Sequence, residues 1–143
     1  MFYVNVEGAV YKEDKWLIIE RSMKEEHAGG LLSLVGGTVE KEGNSINILE
    51  RTLSKELFEE VGVKVKEKMN FVRNTSFQLD DGSEVIDIVF LCEFKEGEPF
   101  SKSPDEVDAV YWMSTEEIVS HPKAPIWLIE SVKEAENLLK KTL

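Results

Sequence analysis

A mixed β-sheet covered by helices, an α/β arrangement forming one domain over residues 1–143, is the fold class this sequence predicts. Strand-like runs dominate the first half, a long amphipathic helix interrupts them, and two further helical segments close the chain. No internal repeat, low-complexity stretch or linker divides it. At 143 residues, 42% of them hydrophobic and 31% charged, the chain can bury one core without help from disulfides or a structural metal.

The elements follow in order. Phe2 to Tyr11 alternates and is rich in Val and aromatics, Glu13-Asp14 supplies a turn, and Trp16 to Glu20 resumes the apolar run before Arg21 ends it, which predicts a β-hairpin. Ser22 to Gly30 reads as a loop leading to the short apolar piece Leu31 to Val35 and the Gly36-Gly37 pair. Asn44 or Ser45 is expected to cap a helix running to about Val61, with Ile46, Leu49, Leu53, Leu57 and Val61 on one stripe and Gly62 as its stop signal. Val63 to Gln78, the Asp80-Asp81-Gly82-Ser83 turn and Glu84 to Phe94 predict a second hairpin. After a Gly- and Pro-containing loop comes a strand from about Val107 to Met113. Ser114-Thr115-Glu116-Glu117 has capping-box spacing and opens a short helix that His121-Pro122 ends. A last amphipathic helix runs from about Pro125 to Lys140, with Ile126, Ile129, Val132 and Leu139 inward.

Charge and cysteine usage narrow the function. The net charge of −11 argues against a surface that binds duplex nucleic acid through its phosphates, although a small phosphorylated ligand is still accommodated where metal ions neutralise local carboxylates. Cys92, the single cysteine, lies in an apolar run and forms no intrachain disulfide, which points to a reducing compartment. With no signal-peptide pattern and no apolar stretch of membrane-spanning length, the cytoplasm is the expected location.

The chemistry concentrates in Lys55-Glu56-Leu57-Phe58-Glu59-Glu60-Val61-Gly62-Val63. On a helix Glu56 and Glu60 lie about 40° apart and Glu59 about 60° to the other side, so all three carboxylates address one volume. Like charges at that spacing repel unless a counter-charge sits among them. A hard divalent cation such as Mg²⁺ fits, since it takes oxygen ligands and is commonly shared with substrate phosphates. A solvated acidic helix face is the other reading.

Gly36-Gly37-Thr38-Val39-Glu40 followed by Lys55 to Val63 resembles the signature of the Nudix hydrolases, whose box reads Gly, five residues, Glu, seven residues, then Arg-Glu-apolar-x-Glu-Glu-x-Gly-apolar. The resemblance covers the whole chain and implies an α/β/α sandwich. It further implies metal-dependent hydrolysis of a diphosphate in a nucleoside diphosphate-linked or triphosphate substrate, with Mg²⁺ as cofactor and Mn²⁺ as a substitute. Carried over by position, Glu56, Glu59 and Glu60 match the metal-binding glutamates and Gly37 the glycine whose carbonyl often joins them. Many family members are homodimers.

Two departures accompany it. Lys55 stands for the box arginine, keeping the charge but not the planar fork. The first box glutamate should fall at Asn47, and the spacing from Gly37 is four residues too long, close to one helical turn, so the insertion is expected to lengthen the start of the helix. Glu42 and Glu50 are the nearest carboxylates that could stand in. Outside the box, Glu106 precedes the Trp112 strand, where several Nudix enzymes carry a metal ligand or general base; a loop carboxylate facing solvent is the alternative. Arg21 is the candidate for gripping a substrate phosphate, or is a surface charge.

His27 and His121 lack metal-ligand spacing and read as loop residues, while Trp112 and Trp127 read as core. Phe77 and Asp81 could touch a base or only serve packing and the turn. Between Val63 and Phe94 there is neither the proline nor the tyrosine that mark ADP-ribose and diadenosine-polyphosphate enzymes of the family. A second functional class, a Nudix-fold nucleotide-binding or regulatory domain without hydrolysis, is favoured by Asn47 and Lys55 and opposed by the intact carboxylate trio.

Overall fold

The computed structural model describes residues 1–142, in which seven strands and three helices alternate as β1 (Phe2–Lys12), β2 (Lys15–Arg21), β3 (Leu32–Ser33), β4 (Val35–Thr38), α1 (Ile48–Val61), β5 (Lys64–Gln78), β6 (Glu84–Glu96), β7 (Val107–Met113), α2 (Thr115–Val119) and α3 (Ile126–Thr142). Both predicted hairpins form, with Lys12 opposite Lys15 and Gln78 opposite Glu84. The sheet is mixed because β1 pairs in parallel with β6 along its length, from Phe2 opposite Glu84 to Tyr11 opposite Glu93. The other edge of β1 is shared: Asn5 to Gly8 pair with β4, and the end near the turn pairs with β2. Strand β2 then carries β7 and β3 on antiparallel ladders.

Alternation along β1 sorts its side chains onto two faces, as the pleat requires. Val6 and Val10 enter one core with Leu53, Leu57 and Val61 of α1 and with Phe90 and Cys92 of β6. Ala9 enters the other, with Val89 and Leu91 of β6 and with Leu128, Val132 and Ala135 of α3. Helices therefore cover both faces, giving the α/β/α layering. Among the described residues no helix is long and apolar enough to cross a membrane.

Helix α1 starts later than its sequence suggests. Neither Asn44 nor Ser45 caps it; the flanking residue is Asn47, left-handed at φ 55°, with no side-chain capping bond. Ile46 lies outside the helix and is 79% exposed, so the buried stripe is Leu53, Leu57 and Val61. The four extra residues thus enlarge the loop before α1 instead of lengthening the helix. Arg51 ties that loop down, bonding the Glu42 carboxylate (2.6 Å to Oε1) and the Ile46 carbonyl. These groups supply the anchor that a cap would have given. Because the pair is about half exposed, Arg51→Ala should lower stability by only about 1 kcal/mol or less in a thermal melt, while proteolytic cleavage within residues 39–47 should accelerate.

The other end of α1 behaves as read. Gly62 takes φ 71°, and its N–H reaches the Phe58 carbonyl at 3.0 Å. The carbonyls of Glu60 and Val61 accept from the N–H groups of Lys102 (3.0 Å) and Phe100 (3.2 Å), so the segment before β7 runs as a strap along the end of the helix. The Lys102 ammonium lies 3.6 Å from the centre of the Phe58 ring, fastening the same contact.

Candidate functional site

The end of α1, the glycines of β4 and the strap before β7 converge on one carboxylate cluster. Glu60 projects from the buried side of the helix and is 6% exposed, Glu56 is partly buried, and Glu59 and Lys55 stand on the exposed rim. Gly37 lies against Glu56 so closely that a Cβ there would fall 2.5 Å from the Glu56 carboxyl carbon. Strand β4 thus presents its backbone to the cluster because it carries no side chain.

The strap brings Glu106 in. Its N–H donates to the Ser103 carbonyl and its carbonyl accepts from Ser22 N–H, both at 2.9 Å, which pins it between the strap and the end of β2. Although exposed, its charge acts on both Glu56 and Glu60. Arg21 approaches from the same end of β2 and eases Glu60 in the opposite sense. The guanidinium is held in place by a 3.5 Å ion pair with Glu25 and by donation from Nε to the His27 carbonyl at 3.1 Å.

Crowding of these acids shifts their protonation. Burial, followed by the hydrogen bond to Glu56 and the charges of Glu106 and Glu56, pushes the Glu60 carboxyl up to about 9. Burial also raises Glu56, opposed by its hydrogen bond with Glu60 and by Lys55. The Glu56–Glu60 pair therefore retains a proton at neutral pH. The second oxygen of Glu60, Oε2, is buried with no hydrogen-bond partner among the described residues. A buried carboxylate oxygen is ordinarily paired, so this one is directed at a partner the fold does not supply.

Among the described residues no three ligating side chains are already drawn into a metal cage. The donor set nonetheless fits Mg²⁺, which keeps several waters and takes few protein oxygens: an orphaned buried oxygen on Glu60, a proton-sharing neighbour in Glu56, further carboxylates in Glu59 and Glu106, and the close backbone of Gly37. Neither proposed stand-in for the box glutamate joins them, since Glu42 is taken by Arg51 and Glu50 is absent from the charges acting on Glu56 and Glu60. His27 and His121 are loop residues, as expected; His27 stacks on Phe77 with ring centres 5.7 Å apart, and His121 Nδ1 accepts from Lys123 N–H.

Two features escaped the sequence reading. The start of α3 is exposed and not core: Trp127 is 50% exposed, and Ile126, expected to point inward, is 63% exposed. Asp87, buried, and Glu7, partly buried, lie together on the α3 face of the sheet, where desolvation raises both carboxyls. A signal for them existed: each is a single carboxylate in the middle of an apolar strand, Val6-Glu7-Gly8 and Ile86-Asp87-Ile88.

Comparison with known proteins places this geometry. A model of the NUDIX domain matches residues 1–134. Among solved structures, the chain is similar to a MutT NUDIX hydrolase from Burkholderia pseudomallei at 21% identity and TM-score 0.78, covering 94% of this chain and 98% of that one. A MutT protein from Methanosarcina mazei Go1 is similar at 20% identity and TM-score 0.78, covering 97% and 96%. The NUDIX domain of Shewanella oneidensis NrtR, solved with ADP ribose, follows at 16% identity and TM-score 0.77, covering 97% and 89%. No curated protein sequence matches the chain. The structural likenesses carry the fold, and the domain match over nearly the full length carries the family: the chain belongs to the Nudix family.

Proposed function

We propose that this chain, acting as one domain, hydrolyses a diphosphate bond in a nucleoside di- or triphosphate derivative, using Mg²⁺ or, in its place, Mn²⁺. The observation that carries the reading is the unpartnered buried oxygen of Glu60 amid Glu56, Glu59 and Glu106. A domain that only bound a nucleotide would gain nothing from holding these mutually repelling acids together. A divalent cation in the cluster supplies charge neutralisation of the diphosphate and a lowered pKa for the attacking water.

The chain's own residues do the rest. Glu56, Glu59 and Glu60, with the Gly37 carbonyl, form the donor set. Glu106 is exposed, pinned by two backbone bonds and beside the cluster, which suits it to accept a proton from water during attack at phosphorus. Arg21, fixed by Glu25 and the His27 carbonyl, is oriented to bind a phosphate oxygen, and Lys55 adds positive charge on the rim.

A panel of nucleoside triphosphates, sugar nucleotides and dinucleoside polyphosphates, assayed with Mg²⁺ for coupled phosphate or pyrophosphate release, tests the reading. Turnover of at least one class that disappears with EDTA is expected. Binding of a nucleotide without turnover of any class would replace it with the binding-domain alternative.

A further inference from the structure

The strap before β7 makes one side-chain contact that burial does not account for. Phe58 is exposed on α1, and the Lys102 ammonium sits 3.6 Å from the centre of its ring, with that of Lys64 5.6 Å from the same centre. A phenylalanine on the solvent side of a helix adds little to the core. In a chain with 28 acidic side chains, Lys102 forms an ion pair with none of them among the described residues. Its charge is committed to a ring instead, on the segment that delivers Glu106 to the carboxylate cluster.

Between Lys102 and Glu106 the chain is stiff. The Ser103 carbonyl accepts from the N–H groups of both Glu106 and Val107, each at 2.9 Å, and Ser101 Oγ donates to the Val107 carbonyl. Pro104 occupies the second position of this turn, where its fixed φ is already the one required. A movement of the strap at Lys102 is therefore passed on to Glu106 and not absorbed between them.

The backbone alone leaves such a movement open. The N–H groups of Phe100 and Lys102 bond the carbonyls of Val61 and Glu60, and the Phe100 ring lies against Gly62, so all three contacts fall at the end of α1 and the strap can tilt about them. Phe58 points about 160° away from Glu56 and from Glu60 around the helix, so the Lys102 side chain grips the side of α1 opposite the one that Glu106 addresses. Past the turn, Ser22 N–H holds the Glu106 carbonyl at 2.9 Å, and Lys24 pairs with Asp105 at 3.0 Å in solvent, a contact of little strength. Attachment at the helix end, at Ser22 and on the far side of α1 fixes the tilt, and the third of these depends on Lys102. Resting on the reading above, in which Glu106 serves the metal-dependent hydrolysis, we propose that Lys102 and Phe58 are a positioning pair: their contact clamps the strap and sets how closely the Glu106 carboxylate stands to Glu56 and Glu60.

Phe58→Leu removes the ring without changing any charge, and Lys102→Arg keeps a cation over it. Three readouts apply to the whole chain: amide hydrogen exchange of residues 100–106, Mn²⁺ affinity followed by electron paramagnetic resonance, and steady-state kinetics on a nucleotide that the wild type hydrolyses. In Phe58→Leu the strap amides should exchange faster, Mn²⁺ should bind about two- to fivefold more weakly, and kcat should fall by a similar factor at unchanged KM, the size expected of an exposed cation–π contact. Lys102→Met should act in the same direction, although removing an ammonium near acids would by itself favour a cation, and Lys102→Arg should stay close to the wild type. Glu106→Gln should weaken Mn²⁺ on its own. In that background Phe58→Leu should still speed exchange but cost no further Mn²⁺ affinity or kcat, because the clamp acts through Glu106. Unchanged exchange or Mn²⁺ affinity in Phe58→Leu, or an equal loss of affinity with and without Glu106, would overturn the proposal. A wild type that turns over no nucleotide would count against the hydrolase reading alone, since exchange and Mn²⁺ affinity judge the clamp without turnover.

Discussion

Glu60→Gln should reduce hydrolysis by at least about a hundredfold and erase the dependence of thermal stability on Mg²⁺. The side chain keeps its size and can still hydrogen-bond Glu56, so the fold should survive; what it loses is the ability to give up a proton and present an anionic oxygen, at the position that has no partner among the described residues. In EDTA the same variant reports on the proton. The Glu60 carboxyl sits at about 9 in the folded protein against an ordinary value of 4.5, so the folded chain retains a proton that the unfolded chain releases. Stability from this group is complete below pH 4.5 and is lost as pH rises toward 9. The wild-type melting temperature in EDTA should therefore fall across that window, by roughly 5 °C or more, and fall less in Glu60→Gln. Glu7 and Asp87 are raised too and contribute in the same direction, so the difference between the two proteins isolates Glu60. Mg²⁺ replaces the proton, which makes its stabilisation of the wild type larger at pH 8 than at pH 5. Parallel pH profiles for the two proteins, or an equal Mg²⁺ shift in both, would show that Glu60 is not the buried acid at the centre of the site.

The parts of this fold that are legible in the sequence are those written locally. Alternation gave both hairpins, the 3.6-residue period gave Leu53, Leu57 and Val61, and Ser114 forms the capping box, with its hydroxyl accepting from Glu117 N–H and the Glu117 carboxylate from Ser114 N–H. The carboxylate trio was legible because three acids within five residues on a helix share a face irrespective of the rest of the chain. What long-range pairing decides was not legible. The parallel union of β1 and β6 joins residues about eighty positions apart, and it alone brings Glu7 to Asp87. The start of α1 was misplaced because polar residues able to cap stand at Asn44 and Ser45, whereas the ion pair of Arg51 with Glu42 and a left-handed Asn47 set the boundary. Trp127 sits on an apolar-periodic segment, and only the packing of α3 across the sheet leaves half of it uncovered.

Two adjacent glycines should fail in opposite ways, and the contrast separates the scaffold from the chemistry. A Cβ on Gly36 would fall 2.0 Å from the Val6 carbonyl oxygen and 2.9 Å from the Glu7 Cα. Both are backbone atoms of β1, whose other edge is locked to β6 from Phe2 to Tyr11, so the strand cannot retreat without opening the sheet at its centre. Gly36→Ala should therefore destabilise by about 3 kcal/mol or more, lowering the melting temperature by roughly 10 °C or leaving the protein insoluble. On Gly37 the same atom meets the carboxyl end of Glu56 at 2.5 Å. That end is a flexible side chain which can swing aside, so Gly37→Ala should fold with a loss of about 1 kcal/mol or less. The displaced carboxylate then no longer faces Glu60, and both the Mg²⁺-dependent rise in melting temperature and hydrolysis should drop sharply. If Gly37→Ala kept full activity, Glu56 would be dispensable to the site. If Gly36→Ala melted like the wild type, β1 and β4 would have to be free to separate, in conflict with the closeness of their backbones at Val6 and Gly36.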